Sequence, residues 1–199
     1  MTSLQLYLMR HGEALSRQEA GVGTDAERPL APQGIETVNR VAQGLKALGI
    51  KPDRVLTSAL VRAQQTAELV ASHLGCAGRV EACQALLPEH DPSAFLDALR
   101  EIHACLPRPL ENREAGRRQA DEVILAVGHQ PYLGRLAAQL VFGEPHDGLA
   151  LSPAGLCLIE FPEFPRKGAW PPRGFTPRSL EATLSGLWGP ELFSRPTRR

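Results

Sequence analysis

Four basic side chains follow apolar runs of the sequence at places where buried strands should end. Arg10 and His11 directly follow one run, His129 comes two residues after another, and Arg62 lies a few residues beyond a third. Open parallel sheets bind ligands beyond the carboxyl ends of their strands, so this placement favours chemistry. A histidine can attack phosphorus, and each arginine fork can hold two phosphoryl oxygens. These residues predict a phosphoryl-transfer site that needs no metal.

His11 is the candidate nucleophile of this site. Attack on phosphorus requires an unprotonated ring nitrogen, and the positive charges of Arg10 and Arg62 should oppose protonation of the imidazole near neutral pH. Formation of a phosphohistidine would then divide the reaction into a transfer and a hydrolysis. The competing interpretation is a strand-end histidine whose ring is satisfied by a backbone group.

Arg62 and His129 are candidate ligands of the phosphoryl group. Arg62 lies in the first turn of a predicted helix, where backbone amides can also face an anion. His129 can donate a hydrogen bond to a phosphoryl oxygen. The alternatives are a solvated charge on a helix surface for Arg62 and a simple turn residue before Pro131 for His129.

Two further residues have less defined roles. Arg28 either reaches into the pocket or forms an ion pair with Glu27 or Asp25. Ser58 is suited to cap the helix that carries Arg62, because serine is a preferred residue at helix N-termini.

Periodicity predicts strands that alternate with helices, which is typical of an α/β fold with a mainly parallel sheet. The predicted strands are 4–9, 53–57, 79–82, 122–127, 156–161 and 182–188, the last pair forming an antiparallel hairpin at the sheet edge. The predicted helices are 32–48, 60–74, 93–106 and 132–142. Three connections are predicted. Residues 13–31 should form a loop over the site, 107–121 an exposed connection, and 162–178 a mobile proline-rich loop. The tail at 195–199 is expected to be frayed.

Length and composition narrow the class of protein. A chain of 199 residues is expected to form one domain, 1–199. Lysine plus arginine equals aspartate plus glutamate at 22 each, so the charge predicts neither nucleic acid nor a membrane surface as partner. The four cysteines lack the spacing of a zinc site or a disulfide framework. Neither a signal peptide nor a long apolar segment is evident, so we expect a cytoplasmic protein; nothing indicates its oligomeric state.

The sequence resembles the histidine phosphatase superfamily, also called the phosphoglycerate-mutase-like fold, and within it the SixA-type phosphohistidine phosphatases. The resemblance extends from Leu4 to about Phe161. It is carried by four segments, which are Arg10 to Glu13, Arg28 to Leu30 with Gly34, Ser58 to Ala67, and Gly128 to Pro131. It implies a three-layer α/β/α sandwich, with His11 as nucleophile and Arg10, Arg62 and His129 forming the phosphate pocket beside Gly12.

The leaving group separates the candidate activities. A phosphomonoester generally needs an acid to protonate the departing oxygen, whereas a phosphorylated imidazole leaves more readily. Glu89 is the candidate acid, near the place where broader relatives carry theirs, and Glu13 is a second one. If Glu89 is only an exposed loop carboxylate, phosphohistidine on a phosphotransfer protein is the favoured substrate.

Three functions therefore remain open at this point. The first is a phosphatase without metal or organic cofactor, acting on a phosphorylated protein domain. The second is a small-molecule phosphomonoesterase or mutase-type phosphotransferase that uses Glu89. The third is a phosphoprotein-binding module without catalysis. The presence of a complete set of candidate catalytic residues argues against this function; they are Arg10, His11, Arg62 and His129.

Overall fold

The computed structural model describes residues 2–105, 122–164 and 182–194. In that part of the chain the strands are β1 (Thr2–Arg10), β2 (Arg54–Thr57), β3 (Val80–Ala82), β4 (Glu122–Gly128), β5 (Leu156–Phe164) and β6 (Thr183–Trp188). The α-helices are α1 (Arg17–Ala20), α2 (Pro32–Ala47), α3 (Val61–Leu74), α4 (Pro92–Cys105) and α5 (Tyr132–Phe142). The predicted connection 107–121, the end of the predicted loop from residue 165 and the predicted tail 195–199 lie outside the described residues.

The strands form one six-stranded sheet in the order β3-β2-β4-β1-β5-β6. The first four strands of this order are parallel to one another, and β5 pairs antiparallel with both β1 and β6. The prediction of a mainly parallel sheet with an antiparallel hairpin at its edge is confirmed.

Helices cover both faces of the sheet, because alternate side chains of each central strand point to opposite sides. On β1, Leu6 and Leu8 pack with α4 and α5, whereas Tyr7 and Met9 pack with α2 and α3. The result is the three-layer α/β/α sandwich that the family resemblance implies. Within the part of the chain that the structure describes, none of these helices is both long and apolar enough to span a membrane.

The predicted loop 162–178 is wrong at its start, because β5 continues to Phe164. Pro162 lies where the pairing of β5 with β1 shifts register, and proline is tolerated in a strand at such irregularities. Phe161 and Phe164 are both 1% exposed and their rings meet edge to face, with centroids 5.2 Å apart. Burial of these two rings explains why the strand extends beyond the position that proline seemed to forbid.

The predicted loop 13–31 contains two short helical segments, α1 and a 3₁₀ turn at Asp25–Glu27. Each begins at a hydroxyl residue that is followed three positions later by a glutamate, the pattern of a capping box. The Glu27 carboxylate accepts hydrogen bonds from the amide and the hydroxyl of Thr24, at 2.9 and 2.8 Å. These caps were readable in the sequence, and they hold Asp25 at a defined place.

Three strands end side by side at one edge of the sheet. Arg10 at the end of β1 pairs with Gly128 at the end of β4, so that His11 and His129 both follow paired residues. The amide of His11 donates to the Gly128 carbonyl at 3.0 Å, and the amide of Ser58, after β2, donates to the Val127 carbonyl at 3.1 Å. The fold therefore brings three sequence-distant segments to one rim.

Candidate active site

The ring of His11 has a defined tautomer. Its Nδ1 lies 2.6 Å from the Gly12 carbonyl oxygen, which can only accept a hydrogen bond, so Nδ1 carries the proton. Its Nε2 accepts a hydrogen bond from Nε of Arg62 at 3.3 Å. Because a guanidinium nitrogen can only donate, Nε2 holds a lone pair. The unprotonated nitrogen of His11 thus faces a cation, as attack on a phosphoryl group would require.

The surroundings of His11 keep its ring neutral. Burial is the largest cause and lowers the pKa of His11 to about 4, against the smaller opposing effect of the hydrogen bond to the Gly12 carbonyl. The charges of Arg62, Arg10 and Arg28 lower this pKa further. The sequence-based expectation attributed the neutral ring to the arginines alone, whereas in the structure desolvation contributes more than any one of them.

Arg62 is held rigidly at the start of α3. Its side chain is 8% exposed, and Asp25 engages the end of the guanidinium opposite His11. Nη1 of Arg62 donates to the Asp25 carbonyl oxygen at 2.7 Å, and Nη2 donates to Oδ2 of Asp25 at 2.9 Å. Arg62 is therefore a buried charge at the candidate site rather than a solvated one on the helix surface.

His129 lies beside His11, with ring centroids 5.0 Å apart, and is 3% exposed. Its Nε2 is 2.8 Å from the Ser58 hydroxyl oxygen, while its Nδ1 is buried without a hydrogen-bond partner among the described residues. Burial, followed by the charges of His11 and Arg62, lowers the pKa of His129 to about 3, and the negative charge of Asp25 opposes this shift. A neutral His129 with one unpartnered nitrogen is suited to bind an atom of a ligand.

Arg10 has a buried donor without a partner among the described residues. Its Nη1 donates to the Leu151 carbonyl oxygen at 2.8 Å, which fixes the side chain. That buried donor is Nε. Nε of Arg10 and Nδ1 of His129 are therefore two buried polar atoms that could each bind an atom of a polar ligand.

Arg28 forms the ion pair that the sequence left as one of two alternatives. Its Nη1 lies 2.8 Å from Oδ1 of Asp25, and its Nε donates to the Leu15 carbonyl oxygen at 2.6 Å. The positive charge of Arg28 nevertheless acts on the candidate site, because it contributes to the lowered pKa of His11. The predicted partner Glu27 instead caps the preceding turn at Thr24.

Glu89 makes no hydrogen bond or ion pair with His11, Arg62 or His129 within the described residues. It lies on the turn that precedes α4. The structure thus shows Glu89 as an exposed carboxylate of this turn.

Gly12 and Thr66 connect the candidate nucleophile to the arginine helix. A Cβ atom on Gly12 would lie 2.7 Å from Cγ2 of Val38, so the position requires glycine. The Gly12 amide donates to the Thr66 hydroxyl at 3.1 Å, and that hydroxyl donates to the Arg62 carbonyl oxygen at 2.7 Å. Thr66 was not among the candidate residues, although its place one helical turn after Arg62 is visible in the sequence.

The prediction that Ser58 caps α3 is wrong, because the helix begins after Leu60 and has no side-chain cap. The Ser58 hydroxyl oxygen accepts a hydrogen bond from the amide of Leu60 at 3.4 Å and also contacts His129. Asp25 is the other residue whose importance the sequence did not reveal, since it was considered only as a partner of Arg28. In the described ranges, no three histidine, cysteine or acidic residues lie together as a potential metal site.

Comparisons with known proteins show which family this chain resembles. The family description "Histidine phosphatase superfamily (branch 1)" matches residues 6–118. An uncharacterized protein of Picosynechococcus sp. is 37% identical over 93% of this chain and 98% of its own length. The phosphohistidine phosphatase SixA of Escherichia coli K12 is 30% identical over 71% of this chain and 76% of its own.

Among solved structures, that of the protein histidine phosphatase SixA complexed with tungstate has a TM-score of 0.67 and 25% identity, covering 94% of this chain and 98% of the other. The extent of the family match and of the similarity to the Escherichia coli relative leads to one conclusion. The chain belongs to the histidine phosphatase superfamily, branch 1.

Proposed function

We propose that this protein is a metal-independent phosphohistidine phosphatase whose nucleophile is Nε2 of His11. The single observation that carries the proposal is the 3.3 Å contact between Arg62 and Nε2 of His11, with the ring proton held on Nδ1 by Gly12. This arrangement presents a nitrogen lone pair next to a buried cation. A phosphoryl group placed there would bring its phosphorus to the lone pair and its oxygens to the guanidinium.

The reaction would proceed in two displacements. In the first, Nε2 of His11 bonds to phosphorus while the bond from phosphorus to the leaving nitrogen breaks, and that nitrogen takes a proton from solvent. In the second, water attacks the phosphorus of phosphorylated His11, the bond to Nε2 breaks, and phosphate leaves. His11 returns to its starting state, and one water is consumed per phosphate released.

The remaining residues would stabilise the charge of the transferring group. Nε of Arg10 and Nδ1 of His129 are buried, lack partners in the described part of the chain, and would donate to phosphoryl oxygens. For His129 this requires the proton on Nδ1, so the Ser58 hydroxyl would donate to Nε2. Donors that are already fixed before the substrate arrives lose little reorganisation energy during the reaction.

The choice of phosphohistidine is supported by the leaving group. The exposed Glu89 makes no contact with the pocket residues described above, and a phosphorylated imidazole departs without a carboxylic acid more readily than an alcohol. The similarity to a relative named as a phosphohistidine phosphatase points the same way. The natural substrate would accordingly be a phosphohistidine presented by a phosphotransfer protein.

The test compares kcat/KM for a phosphohistidine-containing phosphotransfer domain with kcat/KM for p-nitrophenyl phosphate. We expect preference for the phosphohistidine protein, loss of about three orders of magnitude or more in His11→Ala, and activity that survives prolonged dialysis against EDTA. Preference for the monoester would overturn the substrate assignment, and full activity of His11→Ala would overturn the nucleophile. Inhibition by EDTA that added metal reverses would overturn metal independence.

Glu89→Gln tests the competing monoesterase or mutase activity. Glu101→Gln, which removes an exposed carboxylate of α4, serves as the matched control. We expect both variants to retain wild-type activity on both substrates. A large loss in Glu89→Gln that is confined to the monoester would show that Glu89 acts as an acid and would favour the competing activity.

A further inference from the structure

The carboxylate of Asp25 bridges two arginines at the candidate site. Its Oδ1 lies 2.8 Å from Nη1 of Arg28, and its Oδ2 lies 2.9 Å from Nη2 of Arg62. The two arginine side chains are 27% and 8% exposed, whereas the carboxylate is 59% exposed. An anion therefore occupies the space between the two guanidinium groups, at the solvent side of the pocket.

This place has the properties of an anion subsite. Guanidinium groups pair with anions that present two oxygens, and a substrate carboxylate or a second phosphoryl group would offer the same pair of oxygens as Asp25 does. Arg62 also contacts the candidate nucleophile through Nε, so the subsite shares a residue with the reaction centre. A second anionic group on a substrate would have to compete with Asp25 for this position.

Asp25 is held in place by more than its carboxylate. Its carbonyl oxygen accepts from Nη1 of Arg62 at 2.7 Å, and its 3₁₀ turn is capped by the contacts between Thr24 and Glu27. The hydrogen bond from Arg28 is the largest cause that lowers the pKa of the Asp25 carboxyl group. The group therefore stays ionised at neutral pH and remains in the subsite as a fixed negative charge.

The charges of the pocket balance a single phosphoryl group. Arg10, Arg28 and Arg62 each act on the pKa of His11, and the carboxylate of Asp25 offsets one of these three positive charges. The remaining charge of about +2 equals in size the charge of one phosphoryl dianion. A substrate with a further anionic group near its phosphorus would exceed this balance and would meet the Asp25 carboxylate directly.

We propose that Asp25 determines specificity by filling the anion position between Arg28 and Arg62, so that the site selects substrates whose leaving group carries no second anion. The inference rests on the proposed phosphatase function and refines its substrate class. A phosphohistidine side chain within a polypeptide meets this condition, because its backbone amides are uncharged. Phosphorylated small acids, which carry a carboxylate close to phosphorus, do not.

The test uses three phosphoramidates that share an imidazole leaving group and differ in one charge. They are N-phosphohistamine, which is cationic on its side chain, N-phosphoimidazole, which has no side chain, and the N-phospho derivative of imidazolepropionate, which carries a carboxylate. For the wild type we expect kcat/KM to be lowest for the carboxylate substrate. For Asp25→Asn we expect the ratio of kcat/KM between the carboxylate and the neutral substrate to rise about tenfold or more.

Glu81→Gln is the matched control, because it removes a carboxylate from an ion pair of similar exposure. Glu81 lies 2.6 Å from Arg54, and their side chains are 49% and 23% exposed. Arg54 begins β2, and the site lies beyond the opposite, carboxyl end of that strand. We expect the substrate ratio of this variant to equal that of the wild type.

A second measurement separates the inference from the proposed function, because it does not depend on turnover. Calorimetry compares methylphosphonate with phosphonoacetate, which adds one carboxylate, on wild type, Asp25→Asn and Glu81→Gln. We expect Asp25→Asn alone to raise the affinity for phosphonoacetate relative to methylphosphonate, by about tenfold. If no phosphoramidate is hydrolysed but this shift appears, the proposed function fails and the anion subsite stands.

A merely structural role of Asp25 predicts a different outcome. In that case Asp25→Asn would lower kcat/KM for all three phosphoramidates by the same factor and would leave both ratios unchanged. The contact between the Asp25 carbonyl oxygen and Arg62 survives the substitution, which favours retention of the arginine position. Unchanged ratios in both measurements would overturn the inference.

Discussion

Nε of Arg62 donates a hydrogen bond to Nε2 of His11 across 3.3 Å, and this contact identifies Nε2 as the ring nitrogen that has the lone pair. The other nitrogen, Nδ1, is 2.6 Å from the Gly12 carbonyl oxygen and carries the ring proton. Because Nδ1 carries the proton and Nε2 has the lone pair, a phosphoryl group can attach to the ring only at Nε2.

The first prediction concerns the site of phosphorylation on His11. We expect the intermediate to carry its phosphoryl group on Nε2 only, because Nδ1 is protonated and directed at a carbonyl oxygen. The protein is mixed rapidly with a phosphoramidate, quenched in alkali and digested, and the isomer is identified by ³¹P NMR and mass spectrometry. A phosphoryl group on Nδ1 of His11 would contradict the assigned tautomer, and His11→Ala provides the blank.

The second prediction concerns the pKa of His11 in the ligand-free protein. We expect its ring protons to titrate near pH 4, mainly because of burial, rather than near the usual 6.5. Arg62→Met should raise this pKa while leaving it below 6.5, because one cation is lost and burial remains. NMR titration measures both values, with the resonance assigned by its absence from His11→Gln. A midpoint close to 6.5 in the wild type would contradict the structure.

The same shift predicts how stability depends on pH. The pKa of His11 in the folded state is lower than in the unfolded chain, so between about pH 6.5 and 4 the unfolded state binds more protons. The contribution of His11 to the free energy of unfolding is therefore fully present above about pH 6.5 and decreases as the pH falls towards 4. Urea denaturation of wild type and His11→Gln between pH 4 and 8 should show a steeper decrease for the wild type. Parallel curves would contradict this.

The fourth prediction concerns Thr66, which is fully buried between Gly12 and Arg62. Thr66→Val keeps the shape of the side chain but leaves the Gly12 amide without its acceptor, so we expect a loss of about 1–3 kcal/mol in the free energy of unfolding and a lower kcat. Thr66→Ser retains the hydroxyl and should recover most of both. Equal unfolding midpoints for the valine variant and the wild type in urea would show that the hydrogen bond contributes little.

The fifth prediction concerns Gly34, against which the backbone of Glu13 packs. A Cβ atom at Gly34 would lie 2.1 Å from the Glu13 carbonyl oxygen, so Gly34→Ala must displace the segment that follows His11. We expect a destabilisation of about 1–3 kcal/mol or more, together with reduced activity. Gly78→Ala is the control, because a Cβ atom there meets nothing within 4 Å. Thermal unfolding compares the two, and equal midpoints would contradict the close packing.

Local patterns account for the parts of the fold that were predicted correctly. The apolar runs that precede Arg10 and His129 are short and bounded by polar residues, so they identify buried strands without any knowledge of their neighbours. The end of β5 was missed because Pro162 argues against a strand locally. The burial of Phe161 and Phe164, which decided the outcome, is a property of the packed sheet.

The α/β class and the residue types of the candidate site can be read from the amino-acid sequence, because hydrophobic period and strand-end position are local properties of the chain. Which of these groups contact one another depends on how the strands and helices pack. Arg62 and Asp25 are 37 residues apart in the sequence, and Ser58 and His129 are 71 residues apart. Their contacts depend on the adjacency of strands and the direction of side chains after packing. The same packing buries His11, and burial is the largest single cause that lowers its pKa.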